Sequence, residues 1–134
     1  MYNQHPISKP KTIFIDWDGT CVRQMNPCMP YPMNLGNIPE LLPGVRDKIT
    51  KWSYEGHKII ITTARKGSYR EETIRELKYH KIVFDQLVMD LTTGQRIVIN
   101  DTKPEDTSYD MAKSWVVDRD TGIEVVTLDT DTEE

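Results

Sequence analysis

Apolar residues occur along this 134-residue sequence in two patterns, short unbroken runs and stretches with helical spacing. Short apolar runs between turn residues are typical of buried strands. They predict strands over residues 12–16, 57–63, 84–89, 96–100 and 115–117. Helical spacing predicts a first helix, opened by Pro43 and Gly44 and closed by Gly56, with Val45, Ile49 and Trp52 on one face. A second helix is predicted from Ser68, with Glu71 as its capping partner, to about His80, with Ile74 and Leu77 buried. A short third helix is predicted over 107–113.

Strands that alternate with helices along a chain favour a parallel sheet with right-handed crossovers. We therefore expect an α/β fold, a three-layer Rossmann-like domain with a mainly parallel central sheet. One domain should span residues 1–134, with a loose lead-in at 1–11 and an acidic, disordered tail at 129–134. The last apolar alternation, residues 123–128, fits either an edge strand or a tail that pairs elsewhere.

Residues 21–40 differ from the rest of the chain in their turn-forming composition. The segment contains Pro27, Pro30, Pro32 and Pro39 among asparagines and a glycine, which blocks a long helix or a central strand. We predict an irregular flap, and a loop of this length in a compact domain usually has a function.

Charge and hydropathy exclude several classes of function. The net charge is −4, but residues 129–134 contribute four acidic side chains, so the rest of the sequence holds 17 acidic and 17 basic residues. Nonspecific nucleic-acid binding requires a basic surface, so we expect no nucleic-acid partner. No apolar run is long enough to cross a membrane, and no signal-peptide pattern is present. A cytoplasmic location is therefore expected.

Cys21 and Cys28 are the two cysteines of the chain. They could form a disulfide or half of a metal site. A structural zinc site needs four ligands with tight spacing, and the three histidines lie far away in sequence. Two reduced thiols in a cytoplasmic protein fit the sequence better.

The most informative motif is the octet Ile-Phe-Ile-Asp-Trp-Asp-Gly-Thr at residues 13–20. Gly19 allows the chain to turn sharply after the strand, so that Asp16 and Asp18 both lie at its carboxyl end. Two neighbouring carboxylates repel each other unless a cation or a shared proton relieves them. A hard, oxygen-seeking ion such as Mg²⁺ is the expected relief.

Polar residues also follow two other predicted strands, and ligands of parallel sheets bind beyond the carboxyl ends of the strands. One group is Thr62, Thr63, Ala64 and Arg65, and the other is Asn100 and Asp101. A hydroxyl just before a helix amino terminus suits a phosphate oxygen, and an arginine fork can bind phosphate bidentately. We expect Asp101 to join Asp16 and Asp18 in enclosing one Mg²⁺.

These motifs resemble those of the haloacid dehalogenase-like (HAD) superfamily, in the right order over residues 12 to about 106. Asp16 and Asp18 match its first motif, and Asp101 matches its fourth, with Asn100 where the family often has a carboxylate or a glycine. The second motif is a Ser or Thr after an apolar strand. By this resemblance Thr63 is the phosphate ligand, with Thr62 the alternative if the register shifts by one.

The third motif of that superfamily is a lysine that steadies the nucleophile and the phosphoryl group. Lys103, close to Asp101, is the favoured match. Arg96 is an alternative, although it begins the predicted strand and should lie at its far end, and Lys66 is a third candidate. The role stays open among these three residues.

The resemblance implies a small, capless, Mg²⁺-dependent phosphatase that acts through an aspartyl-phosphate. Asp16 would attack phosphorus, and Asp18 would protonate the leaving oxygen and then activate water. The expected substrate is a small phosphorylated molecule, a sugar phosphate or a nucleotide. An open site also fits a homo-oligomer, a dimer or a tetramer, in which a neighbouring subunit covers it. Two alternatives remain: a phosphotransferase or mutase, and a catalytically weak phosphate-binding interaction domain.

Overall fold

The computed structural model describes residues 9–24, 38–103 and 110–128. Its sheet has three parallel strands, β1 (Thr12–Asp16), β2 (Lys58–Thr62) and β3 (Gln86–Val88), in the order β1-β2-β3. Helix α1 (Val45–Tyr54) lies between β1 and β2 in sequence, and α2 (Arg70–Tyr79) lies between β2 and β3. The predicted α/β class with a parallel, Rossmann-like sheet is confirmed. Within the described ranges no separate cap domain is present.

The central strand β2 is covered on both of its faces. Ile59, Ile60 and Ile61 are all buried, as a continuous apolar run predicts. In the pairing of β1 with β2, Asp16 lies opposite Thr62. The Trp17 backbone N–H extends this pairing by donating to the Thr62 carbonyl at 2.9 Å. The end of β1 is therefore held in register with the end of β2.

Helix α1 forms as its periodicity predicts. Val45, Ile49 and Trp52 are its buried residues, and the helix packs on β2. Gly44 precedes it with φ +84°, and Gly56 follows it with φ +104°. Both glycines have the left-handed conformation that suits a residue without a β-carbon.

Helix α2 begins differently from the prediction. A 3₁₀ turn (Gly67–Tyr69) leads into it, and no side chain caps its first turn, so the predicted Ser68–Glu71 capping box is wrong. The buried residues of α2 are Thr73, Glu76 and Leu77, whereas Ile74 is only partly buried. A glutamate thus takes a place on the inner face of the helix.

The predicted strand at 96–100 is wrong, because residues 95–103 form no helix or strand. Ile97, Val98 and Ile99 are 70%, 70% and 92% exposed. An apolar run sets only a preference for extended backbone, and a strand also requires a neighbour with free backbone groups at the right position. The predicted strand at 115–117 is likewise not formed, and Val116 is exposed. Residues 110–113, the described part of the predicted third helix, are not helical.

Residues 123–128 pack on the domain without forming a strand. Ile123 is buried, and its N–H donates to the Pro43 carbonyl at 3.0 Å. Val126 and Leu128 contact the hydrophobic core. The edge-strand alternative is therefore wrong, and the segment packs on the core without forming a strand pairing.

The two ends of the predicted flap are held together. Arg23 N–H donates to the Glu40 carbonyl, and Leu42 N–H donates to the Cys21 carbonyl, each at 2.9 Å. Cys21 and Val22, the first two residues of the predicted flap, are buried and belong to the core. Residues 25–37, which include Cys28, residues 1–8 of the predicted lead-in at 1–11, and the predicted tail at 129–134 lie outside the described residues. The last residue of the lead-in, Lys11, is held by hydrogen bonds to His57 and to the backbone N–H of Lys58.

Helices α1 and α2 have ten residues each. Neither is long enough to span a bilayer, and no described helix qualifies as a membrane span.

Candidate active site at the carboxyl end of the sheet

The chain turns tightly after β1 and brings both acids of the motif to the end of the sheet. The Trp17 carbonyl accepts hydrogen bonds from three successive backbone N–H groups, those of Thr20, Cys21 and Val22. Gly19 has φ +85°, which this turn requires. The turn from Asp16 to Val22 is referred to below as the acid loop.

Both oxygens of the Asp18 carboxylate are held by the end of β2 and the loop that follows. The Thr63 hydroxyl donates to Oδ2 at 2.7 Å. The Arg65 guanidinium donates to Oδ1 from Nε at 3.1 Å and from Nη2 at 2.8 Å. These charge-assisted bonds fix the orientation of Asp18.

Arg65 was predicted to bind phosphate, but its guanidinium is committed to protein oxygens. Among the described residues, its N–H groups donate two hydrogen bonds to Asp18, two to Glu76 and one to Thr73. Its side chain is 8% exposed. Burial alone would lower the pKa of Arg65, but the hydrogen bonds and charges of Glu76 and Asp18 raise it. Arg65 is therefore a fixed cation within the domain.

Asp16 has a different environment from Asp18. Its Oδ2 accepts a bond from the Thr20 hydroxyl at 3.3 Å, and its Oδ1 lies 3.8 Å from Nη2 of Arg96. Its side chain keeps 43% of its exposure. Partial burial, and then the charge of Asp18, raise the pKa of Asp16. The acid loop thus holds one fixed carboxylate and one that faces solvent.

Thr62 and Thr63, the two candidates for the second-motif residue, have different environments in the structure. Thr63 is fully buried, and its hydroxyl oxygen also accepts the backbone N–H of Arg65 at 3.1 Å. Thr62 is half-buried, and its hydroxyl donates a long 3.4 Å bond to the Ile15 carbonyl. Ala64, next along the predicted phosphate loop, is also half-buried. Thr63 therefore positions Asp18, while Thr62 is the more accessible hydroxyl, opposite Asp16.

Asp101 does not complete a metal cage with the two acids. The described residues contain no group of three His, Cys, Asp or Glu side chains that could hold a metal ion. Asp101 is exposed, and its contacts are with the amide of its neighbour Asn100. The predicted convergence fails because the strand that was to carry Asp101 to the edge of the sheet is not formed.

A divalent cation fits part of this donor set. Asp16 has an accessible carboxylate oxygen, and partial burial, and then the charge of Asp18, raise its pKa. A bound cation would relieve the repulsion between the two carboxylates. Arg65 compensates Asp18 at 2.8 Å, whereas the guanidinium of Arg96 lies 3.8 Å from Asp16. Asp16 and Asp18 would hold Mg²⁺ by charge and donor type, and the third carboxylate is not in place.

Two arginines lie beside the acid loop. Arg96, an alternative for the third motif, reaches Asp16 because the segment that contains it is not a strand directed away from the site. Arg119 lies over Gly19, since a β-carbon added to Gly19 would be 3.4 Å from its Cγ and 3.7 Å from its Nε. Lys103 is half-buried and Lys66 exposed, and neither forms an ion pair with Asp16 or Asp18 in the described part of the chain. Of the three candidates for the third-motif role, Arg96 is the one that pairs with Asp16 among the described residues, and the role of Lys103 stays a prediction.

Cys21 lies in the acid loop as a buried, free cysteine. Burial, and then the charges of Asp16 and Asp18, raise the pKa of its thiol well above its usual value. The thiol is therefore kept protonated, which does not suit a nucleophile.

The sequence did not predict that Glu76 and the indole of Trp17 take part in the site. Glu76 accepts hydrogen bonds from Arg65 and from the Trp17 indole N–H. One weak signal was available, because Glu76 stands beside Leu77 and three residues after Thr73, at the spacing of the inner face of α2. A glutamate at such a position is usually solvated, so the signal alone does not identify a network.

Comparison with known proteins gives one family and two similar structures. The model of the family described as "Protein of unknown function (DUF2608)" matches residues 33–113, which is more than half of the chain. The matched range includes Arg65, Glu76 and Asp101 and begins after the acid loop. No curated protein sequence matches the chain.

The similar structures are a chain of a Pnkp1/Rnl/Hen1 complex and a chain of the Pnkp1/Rnl/Hen1 RNA repair complex. Both are 30% identical to this chain, with a TM-score of 0.52 over 72% of its residues. The match covers 33% and 30% of those chains, so this chain spans about a third of their length.

Proposed function

We propose that this chain, which belongs to the DUF2608 family of proteins of unknown function, hydrolyses phosphomonoesters through an aspartyl-phosphate on Asp16. One observation carries the proposal. The two carboxylates at the end of the parallel sheet differ in environment, since Asp18 is fixed by Arg65 and Thr63 while Asp16 faces solvent. A pair of carboxyl groups in unlike environments suits two different chemical roles. The resemblance of the acid loop to the first HAD motif supports the same assignment.

The reaction proceeds in two displacements. An Asp16 carboxylate oxygen attacks phosphorus while the ester P–O bond breaks, and Asp18, which enters this step protonated, gives that proton to the leaving oxygen and becomes a carboxylate. Water then attacks the phosphorus of the aspartyl-phosphate and gives a proton to Asp18, and the bond from phosphorus to Asp16 breaks. Phosphate leaves, and both carboxyl groups return to their starting forms.

Charge on the phosphate oxygens must be neutralised during both displacements. Arg96 lies 3.8 Å from Asp16 and could neutralise part of this charge, and Lys103 remains a proposed phosphate ligand. Thr62 supplies an accessible hydroxyl at the same edge. A Mg²⁺ ion at Asp16 and Asp18 would add Lewis-acid neutralisation of the phosphate oxygens.

The substrate class is proposed from the open site and from the similar structures. Without a cap in the described ranges, Asp16 is accessible to a phosphate on a small molecule or at the end of a larger one. Because similar chains occur in an RNA repair complex, we include a terminal phosphate on RNA beside the nucleotide and sugar phosphate expected from the sequence. The neutral charge of the chain apart from its acidic tail favours contact with an RNA end over binding along its length.

The test is release of inorganic phosphate from p-nitrophenyl phosphate, a nucleoside monophosphate and an oligoribonucleotide with a terminal phosphate, each in Mg²⁺ and in EDTA. We expect release in Mg²⁺ and its loss in Asp16→Asn. Asp110→Asn, an exposed acid-to-amide change, serves as the control. Activity that survives in Asp16→Asn would refute the nucleophile.

A second candidate is a phosphate-binding domain with little catalysis, favoured because no third carboxylate joins Asp16 and Asp18 among the described residues. It predicts that the wild-type protein releases no phosphate from any of the three substrates but binds the phosphorylated oligoribonucleotide more tightly than the dephosphorylated one. Turnover of any substrate by the wild type, lost in Asp16→Asn, rules it out.

A further inference from the structure

Glu76 is a carboxylate in the interior of the domain, with 2% exposure. It lies on the inner face of α2, next to the fully buried Leu77. Burying a charge costs free energy unless the charge is paired and hydrogen-bonded. The groups that contact Glu76 must therefore compensate its buried charge.

Glu76 contacts the indole of Trp17, which is in the acid loop, and the guanidinium of Arg65, which binds Asp18. Arg65 donates to Oε1 of Glu76 from Nη1 at 2.9 Å and to Oε2 from Nη2 at 3.1 Å. The Trp17 indole N–H donates to the same Oε2 at 2.8 Å. Trp17 is the residue between Asp16 and Asp18, so one buried carboxylate contacts both the acid loop and the guanidinium bound to Asp18.

We propose that Glu76 is a positioning residue that acts through Arg65 and Trp17 to fix the carboxylate of Asp18 for proton exchange with the leaving group and with water. The inference rests on the proposed hydrolase function. Glu76 does not contact substrate, because α2 and the acid loop enclose it.

A structural ion pair is the competing interpretation. Buried ion pairs are often no more stabilising than apolar residues of similar volume, so stability alone is a weak reason for this one. The network also ends on Asp18, a residue with a proposed chemical role. The two interpretations differ in their consequences. If the pair is structural, its loss should destabilise the fold and lower kcat equally for all substrates. If Glu76 is a positioning residue, its loss should lower kcat most where Asp18 must transfer a proton.

The first variant is Glu76→Gln, which keeps the size of the side chain but leaves one acceptor oxygen for three donors. For glycerol phosphate, whose leaving oxygen needs a proton, we expect kcat to fall roughly 10- to 100-fold, as for other groups that orient reacting residues. KM should change little, because Glu76 does not bind substrate. For p-nitrophenyl phosphate, whose leaving group needs little protonation, the loss should be smaller. Glu71→Gln, the same change on the exposed face of α2, is the matched control.

Coupling to Asp18 gives a second readout. If Glu76 acts through Asp18, Glu76→Gln should have no further effect on kcat in an Asp18→Asn background. Equal fractional losses in both backgrounds, or equal losses for the two substrates, would overturn the proposal in favour of a structural pair.

A measurement without turnover separates failure of this inference from failure of the hydrolase proposal. Nε of Arg65 donates to Asp18 and not to Glu76, so its ¹H–¹⁵N resonance reports the bond to Asp18. We expect Glu76→Gln to shift this resonance and Glu71→Gln to leave it unchanged. If the wild type releases no phosphate, the hydrolase proposal fails, and the resonance still decides whether Glu76 orients Asp18. An unchanged Nε–H resonance would refute the positioning role.

Should Glu76→Gln fail to fold, Thr73→Val supplies the same test more mildly. It removes the bond from Nη1 of Arg65 to the Thr73 hydroxyl at 3.2 Å and keeps Glu76 in place. The expected result is a smaller shift of the Arg65 Nε–H resonance and a kcat loss that is larger for glycerol phosphate than for p-nitrophenyl phosphate. A loss equal for both substrates, with the resonance unmoved, would overturn the proposal.

Discussion

At the scale of single residues, the two aspartates of the acid loop have different electrostatic environments. Asp18 is neutralised by Arg65, whereas partial burial and then the charge of Asp18 raise the pKa of Asp16. A raised pKa means that the folded protein favours protonated Asp16. The ionised form therefore weakens the fold, and this cost appears as the pH rises from about 3.9, the usual value for Asp, through the folded pKa.

Asp16→Asn should therefore stabilise the protein at pH 7 in EDTA, with the gain disappearing toward pH 3, where wild-type Asp16 is protonated. Because 43% of the side chain is exposed, solvent screening keeps the gain to about 1 kcal/mol or less. Thermal unfolding of wild type, Asp16→Asn and the exposed control Asp110→Asn from pH 3 to 7 measures it. A stabilisation that did not depend on pH would contradict the assignment.

The two neighbouring threonines give a second prediction at this scale. Thr63→Val leaves Oδ2 of Asp18 and the Arg65 N–H without their buried partner, so we expect a loss of about 1–3 kcal/mol in unfolding free energy and a lower kcat. Thr62→Val removes only the half-buried hydroxyl and should cost less stability. Denaturant unfolding and steady-state rates compare the two variants. A larger kcat loss in Thr62→Val would return the second-motif role to Thr62.

At the scale of elements, the helices and the first two strands could be predicted because their signals are local. Gly44 and Gly56 mark the ends of α1, and an unbroken isoleucine run identifies β2. The segment at 96–100 has a similar apolar run, yet Ile99 is 92% exposed. Pairing depends on which backbone edge is free elsewhere in the fold, and a local pattern does not contain that information.

Site residues that follow from local patterns could be predicted from the sequence, whereas those that depend on long-range packing could not. Asp16, Asp18 and Thr63 follow directly from strand ends, so the sequence placed them at one edge of the sheet. Glu76 lies 59 positions from Trp17, and only the packing of α2 brings it to the acid loop. Arg65 was identified as a site residue, but its commitment to Asp18 and Glu76 depends on the same packing.

The turn at residues 118–123 is an element that sequence periodicity did not predict. Asp120 N–H donates to the Gly19 carbonyl at 2.7 Å, and Ile123 N–H donates to the Pro43 carbonyl. The turn thus fastens the acid loop to the start of α1. Gly122 has φ +88°, and an added β-carbon would collide with the Pro43 carbonyl oxygen.

Gly122→Ala should therefore destabilise the domain by about 2 kcal/mol or more, because both the backbone strain and the collision oppose it. Gly94→Ala is the matched control, since a β-carbon there has open space and its φ is not positive, and its effect should stay within about 0.5 kcal/mol. Chemical denaturation measures both changes. Equal stabilities of the two variants would mean that the turn does not hold the acid loop.

At the scale of the whole molecule, the open site and the overall charge bear on substrate size. The chain is close to neutral apart from its acidic tail, while Arg96 and Arg119 lie beside the acid loop. Such an arrangement suits a few phosphate contacts near a terminal phosphate, and it does not suit binding along a polynucleotide. The sequence predicts no nucleic-acid partner. The proposed function differs from that prediction in allowing a contact limited to an RNA end.

Salt dependence tests this limited contact. If Arg96 and Arg119 contact two phosphates of a single-stranded RNA end, the logarithm of kcat/KM should fall with that of salt concentration with a slope of about −1.4. Arg119→Ala should reduce the slope to about −0.7, while Arg75→Ala, an exposed arginine on α2, should leave it unchanged. p-Nitrophenyl phosphate, which has no second phosphate, should show a shallower slope that Arg119→Ala does not alter. Equal slopes for both substrates would indicate that only the reacting phosphate is bound, and the RNA-end assignment would then lose its support.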